Sequence, residues 1–539
     1  MMETWDTQSL FVEAVLMRSK HSARKSQGRA AEFLQKPRGV LHPRVQEVGP
    51  EHFGIISIDC AKARSKWMLT DFYGKVLVPP TEVAHNRVEL ALAVSTVRAA
   101  MGRHELRDSL VAVERTGRYH HPIKNAFAKA DFDTRLVHPY TTKQFRQPAN
   151  PDNKTDDTDL AAIHRAAVNG FALVEATPSE EWRQLQLCIR HRRDLVRKTS
   201  ALACQIREHL DAALPGYAAA FDKLWESGVA FRFVRHFGSA DAMLQQGLTG
   251  LSNYLRQEKV RFQQRTLQTV LAWAKNAAAA DQAAELHRHI ALAYEQDRQQ
   301  KTQQIIALER DIAQRLVQTP YVLLLSFPGI NVVSAADFAG EMGPITNYAN
   351  ARAITGRAGL FPARYQSDRV DRANGPLVRR CNRALRAAIL GIADNLRLCN
   401  QRFRVLSGAW KAAGKNPRHS IVKIACRFCR IAFHMVAGRQ VFRHPSLRER
   451  SYIVDKLLAF HLEHDTPWQA TLRDLHHAIA QIPAKEHTAE AQPLADKLRT
   501  ARKGGKRGPQ PLSEILAIVL ARLGVGALPS TPSEGKDLP

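Results

Sequence analysis

Between residues 53 and 170 strand-like and helix-like segments alternate, and two of the strands end on an acid. FGIISID closes on Asp59, and SLVAVE closes on Glu114. WMLTDF and KVLVPP read as two further strands joined by a tight Tyr73-Gly74 turn, giving a three-stranded meander. A helical pattern follows over about 84–101, then the strand SLVAVE, the helix HHPIKNAFAKA, the strand TRLVHP and a helix opening near Asp156. Meander, helix, strand, helix, strand, helix is the order of an RNase H-like α/β fold.

In a sheet of that order the first and fourth strands are neighbours, so Asp59 and Glu114 emerge together at one edge. In KTDDTDLAAI, Asp156 and Asp159 are three apart and share a helix face. Asp157 points elsewhere and serves the helix N-terminus. Taken singly, an acid after a strand is a turn residue and one near a helix start is a cap. Four that the fold would converge have another use. Two-metal phosphodiester chemistry needs several hard oxygen ligands at one spot, so that one ion steadies the attacking oxygen and the other the leaving oxygen. Oxygen-only ligands favour Mg2+ or Mn2+. Lys154 stands where it could meet a phosphate.

Lys and Arg number 78 against 51 Asp and Glu, a formal charge of +27. A surplus of that size repels itself unless a polyanion neutralises it, which makes nucleic acid the leading partner. The basic residues also cluster: Arg18 to Arg44 holds eight Lys/Arg and one Glu, and Lys497, Arg499, Arg502, Lys503, Lys506 and Arg507 form a second group. Seven cysteines form no evenly spaced framework. Cys426 and Cys429 make a C-x-x-C within an apolar helical run, without a second pair or a suitably spaced His, and read as core thiols. No apolar stretch reaches the length of a membrane span, and the start has no signal-peptide pattern. A cytoplasmic protein without membrane attachment is expected.

Five regions follow. Residues 1–50 form a basic N-terminal extension and 51–180 the α/β domain. Residues 181–318 form a helical, coiled-coil-like region whose long segments 181–213 and 283–318 pair, implying a homodimer or homotetramer. Residues 319–440 form a compact helical domain, and 441–539 a basic helical extension with a Pro/Ser/Gly tail.

The segments SIDCAKARSKWMLTDFYGKV, VAVERTGRYHHPIKNAFAKADFDTRLVHP and NKTDDTDLAAI resemble the DEDD transposases of bacterial insertion sequences. Those enzymes carry a RuvC-like domain and are described as bridge-RNA-guided serine recombinases. SFPGINVVSAADFAGEMGPITNYANARAITGRAGLFPARYQS and GPLVRRCNRALRAAILGIAD are similar to the second domain of that family, and KNPRHSIVKIACRFCRIAFHMV resembles the helix closing it. The resemblance implies DNA cleavage and rejoining through a phosphoserine link, guided by an element-encoded RNA. It makes Asp59, Glu114, Asp156 and Asp159 metal ligands and, by position after G-L-x-P, makes Ser367 the nucleophile. A serine hydroxyl attacks only once a base or metal activates it. Arg364, Arg369, Arg379, Arg380, Arg383 and Arg386 would steady charge on the transferring phosphoryl group. The chain departs from the family in one respect: Asp368 follows Ser367, where many members have glycine.

Other readings compete. A metal-dependent nuclease or junction resolvase would use the four acids and leave Ser367 idle. A degraded, non-catalytic binding protein would not need all four. Phe327-Pro328-Gly329-Ile330 resembles the hairpin of helix-hairpin-helix DNA binders and reads equally as a plain turn, while Ser326 and Ser334 cap or pack helices. Tyr119, Phe145 and Trp410 lie near basic residues, where stacking on bases competes with core packing.

Overall fold

A computed structural model describes residues 41–148, 153–175, 179–367, 370–372, 375–444, 450–503 and 512–525. Most of the basic N-terminal extension, Asp368, Arg369, Lys506, Arg507 and the terminal tail lie outside the described residues. The chain divides into two compact units, Met1–Thr177 and Pro178–Pro539.

The first unit is built on a five-stranded mixed sheet of order β3-β2-β1-β4-β5. β1 (Phe53–Cys60), β2 (Arg64–Asp71) and β3 (Val76–Ala84) form the antiparallel meander, and β4 (Asp108–Glu114) and β5 (Thr134–Val137) continue it in parallel. The β2–β3 turn passes through Gly74 at φ +96°, a left-handed conformation that glycine adopts without a steric penalty. β3 runs through Pro79 and Pro80 to Ala84, longer than the sequence pattern suggests. Proline is tolerated there because β3 is the sheet edge and its ladder is already irregular.

Helices cover both faces. α1 (His42–Val48) is tied to the sheet by Arg44, which pairs with Asp108 at 2.6 Å and Asp133 at 2.5 Å. α2 (Arg87–Arg103) starts at Asn86, whose side chain accepts from Glu89 N, the kind of cap worth about 1 kcal/mol. α3 (His121–Lys129) lies on the same face as α2, over Ile56, Ile58, Val111 and Val113. α4 (Pro139–Arg146) is a short helix that the strand-helix pattern did not announce. α5 (Asp156–Val168) packs Ile163, Ala166 and Ala167 on the opposite face, against Phe53, Ile55, Leu110 and Ala112. This mixed sheet with its helices is compatible with an RNase H-like fold.

The second unit is almost entirely helical. α6 (Glu180–Ala213) and α10 (Ala284–Leu316) are the two long segments, and they pack along each other. Between them α7 (Ala230–His236), α8 (Ala240–Gln257) and α9 (Gln264–Lys275) enclose a core of their own around Tyr217, Phe233 and Leu251. The larger core joins α11 (Val332–Met342), α12 (Ala351–Ala358), α13 (Arg383–Cys399), α14 (Gln401–Ala412) and α15 (Pro417–Ala437). α16 (Ile453–Glu463), α17 (Trp468–Gln481), α18 (His487–Lys503) and α19 (Leu512–Arg522) extend it. Cys429 sits fully buried in this core and its thiol is pushed up by burial, and all seven cysteines are free. The strands named among the described residues of this unit form one small hairpin of β6 (Tyr365–Ser367) and β7 (Val370–Arg372), with an isolated bridge between Pro362 and Leu377 beside it. Among the described residues no helix is long and apolar enough to cross a membrane.

Candidate active site

Strand alternation decides where the first two acids point. Along β1, Phe53 and Ile55 face the α5 side, and two-residue steps carry that face to Asp59. Along β4, Leu110 and Ala112 face the same side, and the next step is Glu114. The parallel register sets Ile58 beside Val113, so Asp59 and Glu114 follow as neighbours at the carboxyl ends of their strands. α5 covers that face and starts at the same end. Its capping box, Thr155 with Thr158, fixes the first turn, which holds Asp156, Asp157 and Asp159.

The electrostatics register this convergence. The Asp59 carboxyl is held above its ordinary value, first by burial, then by Asp159 and Asp156, with Lys154 opposing. Glu114 is raised for the same reasons, burial first and then Asp59, while the nearby Thr142 hydroxyl and Lys154 pull it down. Asp159 is 5% exposed and paired with Arg146 of α4, whereas Asp156 is open to solvent. Asp59 is thus coupled to Asp156 and Asp159, and Glu114 to Asp59 and Asp159, within the first unit.

Asp157 stands in the acidic first turn of α5, as its reading at the helix N-terminus requires, while Thr155 and Thr158 make the cap. It also pairs with Lys66 at 2.6 Å, and Lys66 stands directly opposite Asp59 in the β1–β2 ladder.

The donor set fits a hard divalent cation: every ligand offered is a carboxylate oxygen, and the mutual repulsion that raises Asp59 and Glu114 is what a cation would relieve. As the side chains stand, no three His, Cys, Asp or Glu among the described residues are gathered tightly enough to enclose an ion. Arg146 supplies the positive charge for Asp159 in this arrangement.

Ser367 belongs to the second unit. It is the last residue of β6, exposed, and paired in register with Val370. The hairpin is held across its strands by Arg364, which donates to both oxygens of Asp371 at 3.1 and 2.8 Å. Arg386 donates through Nε and Nη2 to the carbonyls of Ala358, Gly359 and Val378, which steadies the base of the hairpin. Arg379 and Arg383 are exposed.

A family model described as Transposase, of the DEDD type of IS110 elements, matches residues 56–215. A second, described as Transposase IS116/IS110/IS902 family, matches residues 321–407. The chain carries IS110-family transposase domains. It is a DNA transposase or recombinase enzyme. The first match contains Asp59, Glu114, Asp156 and Asp159, and the second contains Ser367. No curated protein matches the chain.

Several residues around these sites of the transposase had no sequence signal. Arg146 and Lys66 are two of 78 basic residues, and only the folded register sets them against Asp159 and Asp157. Thr142 was hidden in a helix that the apolar pattern does not mark. The Phe327-Pro328-Gly329-Ile330 turn is internal: Phe327 and Ile330 are buried, Gly329 sits at φ +94°, and Lys456 donates to the carbonyls of Phe327 and Ile330 at 3.1 and 2.7 Å. Ser334 completes the capping box of α11, and Ser326 donates to Leu323 O at 2.6 Å. Phe145 packs on Phe171, Tyr119 is 41% exposed, and Trp410 lies beneath two cations.

Proposed function

We propose that this transposase moves an insertion sequence by metal-assisted DNA strand cleavage and rejoining through a serine-linked intermediate. The observation that carries the reading is the convergence of Asp59, Glu114, Asp156 and Asp159 on one end of the sheet. These four residues would hold Mg2+ or Mn2+, which when bound supplies Lewis-acid polarisation of the phosphodiester. Ser367 is the nucleophile. Its Oγ forms a bond to phosphorus as one phosphorus–sugar ester bond breaks, and its proton passes to the departing sugar oxygen, so that rejoining is the same exchange in reverse. The exposure of Ser367 at a hairpin end supports this role, since a nucleophile must reach a bulky backbone. A guide RNA would select the element ends and target. The long helices α6 and α10 are suited to assembling a homodimer or homotetramer around two duplexes, and the reaction would take place in the cytoplasm.

A nuclease or junction resolvase without a serine intermediate has one specific observation in its favour: all four acids lie within one self-contained unit. One experiment separates the two readings. The full-length chain is incubated with magnesium, DNA carrying the element ends, and the flanking RNA, and covalent protein–DNA adducts are resolved on denaturing gels. Recombination by serine requires an adduct that disappears with Ser367→Ala. Cleaved ends without any adduct would establish the nuclease reading instead.

A further inference from the structure

The segment from residue 395 to 448 contains no Asp or Glu and carries twelve Lys or Arg. It holds α14 and α15, and α15 lies beyond both family matches, which end at residue 407. On α15, Lys423, Arg427 and Arg430 are spaced four and three apart, which sets them in a row on one helix face about 10 Å long. Trp410 of α14 supports the row from beneath: the Lys423 ammonium is 5.3 Å from its ring centre and the Arg427 guanidinium 4.8 Å. Arg402 and Lys415 close the group from either side, near enough to Arg427 and Lys423 respectively for like charges to interact. None of these five cations meets a carboxylate within ion-pair distance among the described residues, and Arg427 Nη1 is shielded from water without a hydrogen-bond acceptor.

Such a cluster is unfavourable alone. Both Lys423 and Arg427 are held below their ordinary values, by partial desolvation first and by neighbouring cations second. Some surface cations elsewhere in the same unit are matched, as with Lys198 and Asp194 at 2.8 Å or Lys223 and Glu226 at 2.8 Å. An unmatched row on rigid helices has a natural counterpart in a phosphodiester backbone, and a transposase has duplex DNA as its substrate. We propose that the α14–α15 face, centred on Lys423, Arg427 and Arg430 over Trp410, is a docking surface for the backbone of duplex DNA. It rests on the DNA-handling role of the enzyme and not on the chemistry assigned to Ser367.

The test is the salt dependence of binding of the full-length protein to a fluorescein-labelled, mixed-sequence 30-base-pair duplex. Each lost phosphate contact lowers the slope of log K against log salt by about 0.9, so Lys423→Gln/Arg427→Gln/Arg430→Gln lowers it by about 2–3 and weakens binding roughly tenfold or more. Because Arg427 packs on Trp410, the exposed pair Lys415→Gln/Lys423→Gln is measured in parallel, with an expected drop of about 2. The control Lys198→Gln/Lys223→Gln, whose cations are already paired, leaves the slope unchanged. An unchanged slope in both cluster variants overturns the proposal. So does an equal drop in the control, or a loss confined to a 30-nucleotide RNA probe while duplex binding persists. Strand cleavage is followed separately with Asp59→Ala, so loss of chemistry with intact binding, or the converse, tells the failure of one reading from that of the other.

Discussion

Arg146 and Asp159 form an ion pair nearly closed off from water, with 12% and 7% of their side chains exposed. The pair joins α4 to the first turn of α5, and it places a fixed positive charge against one of the four converging acids. Arg146 thereby neutralises Asp159 within the fold.

Arg146→Met keeps most of the side-chain volume and removes the charge. Removing one partner of a buried pair costs about 3 kcal/mol, because the other charge stays behind unpaired. The urea midpoint of the metal-free variant should fall accordingly. Millimolar magnesium should restore part of the loss, since a ligand bound only by the folded state stabilises it by mass action. A loss that magnesium leaves untouched would mark the pair as purely structural and count against a metal at this end of the sheet.

Asp59 and Glu114 give the opposite sign. Their folded values are raised by burial first and then by neighbouring carboxylates, Asp159 and Asp156 for Asp59 and Asp59 for Glu114, so the folded chain binds these protons more tightly than the unfolded chain does. Their contribution to stability is present below the ordinary carboxylate range, near 4, and is lost as pH rises through the raised values. Asp59→Asn should therefore raise the thermal midpoint of the metal-free protein at pH 8 relative to the native chain, by the equivalent of about 1 kcal/mol. That advantage should vanish toward pH 4, and cleavage should be abolished at every pH. A variant destabilised equally at both pH values would show that Asp59 is not repelled by its neighbours.

The path from sequence to structure explains which parts were legible. The sheet could be read because β1 and β4 are buried on both faces and end on acids, and the β1–β4 neighbourhood follows from element order alone. The β6–β7 hairpin could not. RYQSDRVDR has neither an apolar face nor turn glycines, because both faces of β6 are exposed. Arg146 was equally unreadable: it lies 13 residues before its partner, across a connection with no periodic pattern. Nor does anything in RALRAAI signal that Arg386 donates to three backbone carbonyls.

Lys456 offers a test of the second unit's architecture. Its ammonium donates to the carbonyls of Leu325, Phe327 and Ile330 at 2.8, 3.1 and 2.7 Å, tying the Pro-Gly turn to α16. Lys456→Met removes this donor; Leu325 O keeps Ser451 Oγ and Phe327 O keeps Ile330 N, so the main loss is at Ile330 O, about 1–2 kcal/mol in all. Burial lowers the Lys456 value to about 8, below that of the unfolded chain, so the unfolded state holds more protons and native stability rises with pH above 8. The penalty of the substitution, measured by chemical denaturation, should therefore grow between pH 8 and 10. A penalty constant across that range would mean the lysine keeps its ordinary affinity for protons.

Asp368 is the residue at which the proposed chemistry is most open to improvement. Asp368 directly follows Ser367 in the sequence. It adds a negative charge one residue from a hydroxyl that must approach a phosphodiester, and like charges about 6 Å apart repel by about 1–3 kcal/mol at the effective dielectric of a protein surface. Asp368→Gly removes that charge and leaves the serine in place. Single-turnover adduct formation should accelerate about tenfold, an amount equivalent to about 1.4 kcal/mol, and should stay dependent on Ser367. The gain should shrink at high ionic strength, since charge is its origin. A slower reaction in Asp368→Gly would show instead that this carboxylate helps the serine, and would assign Asp368 to the catalytic group.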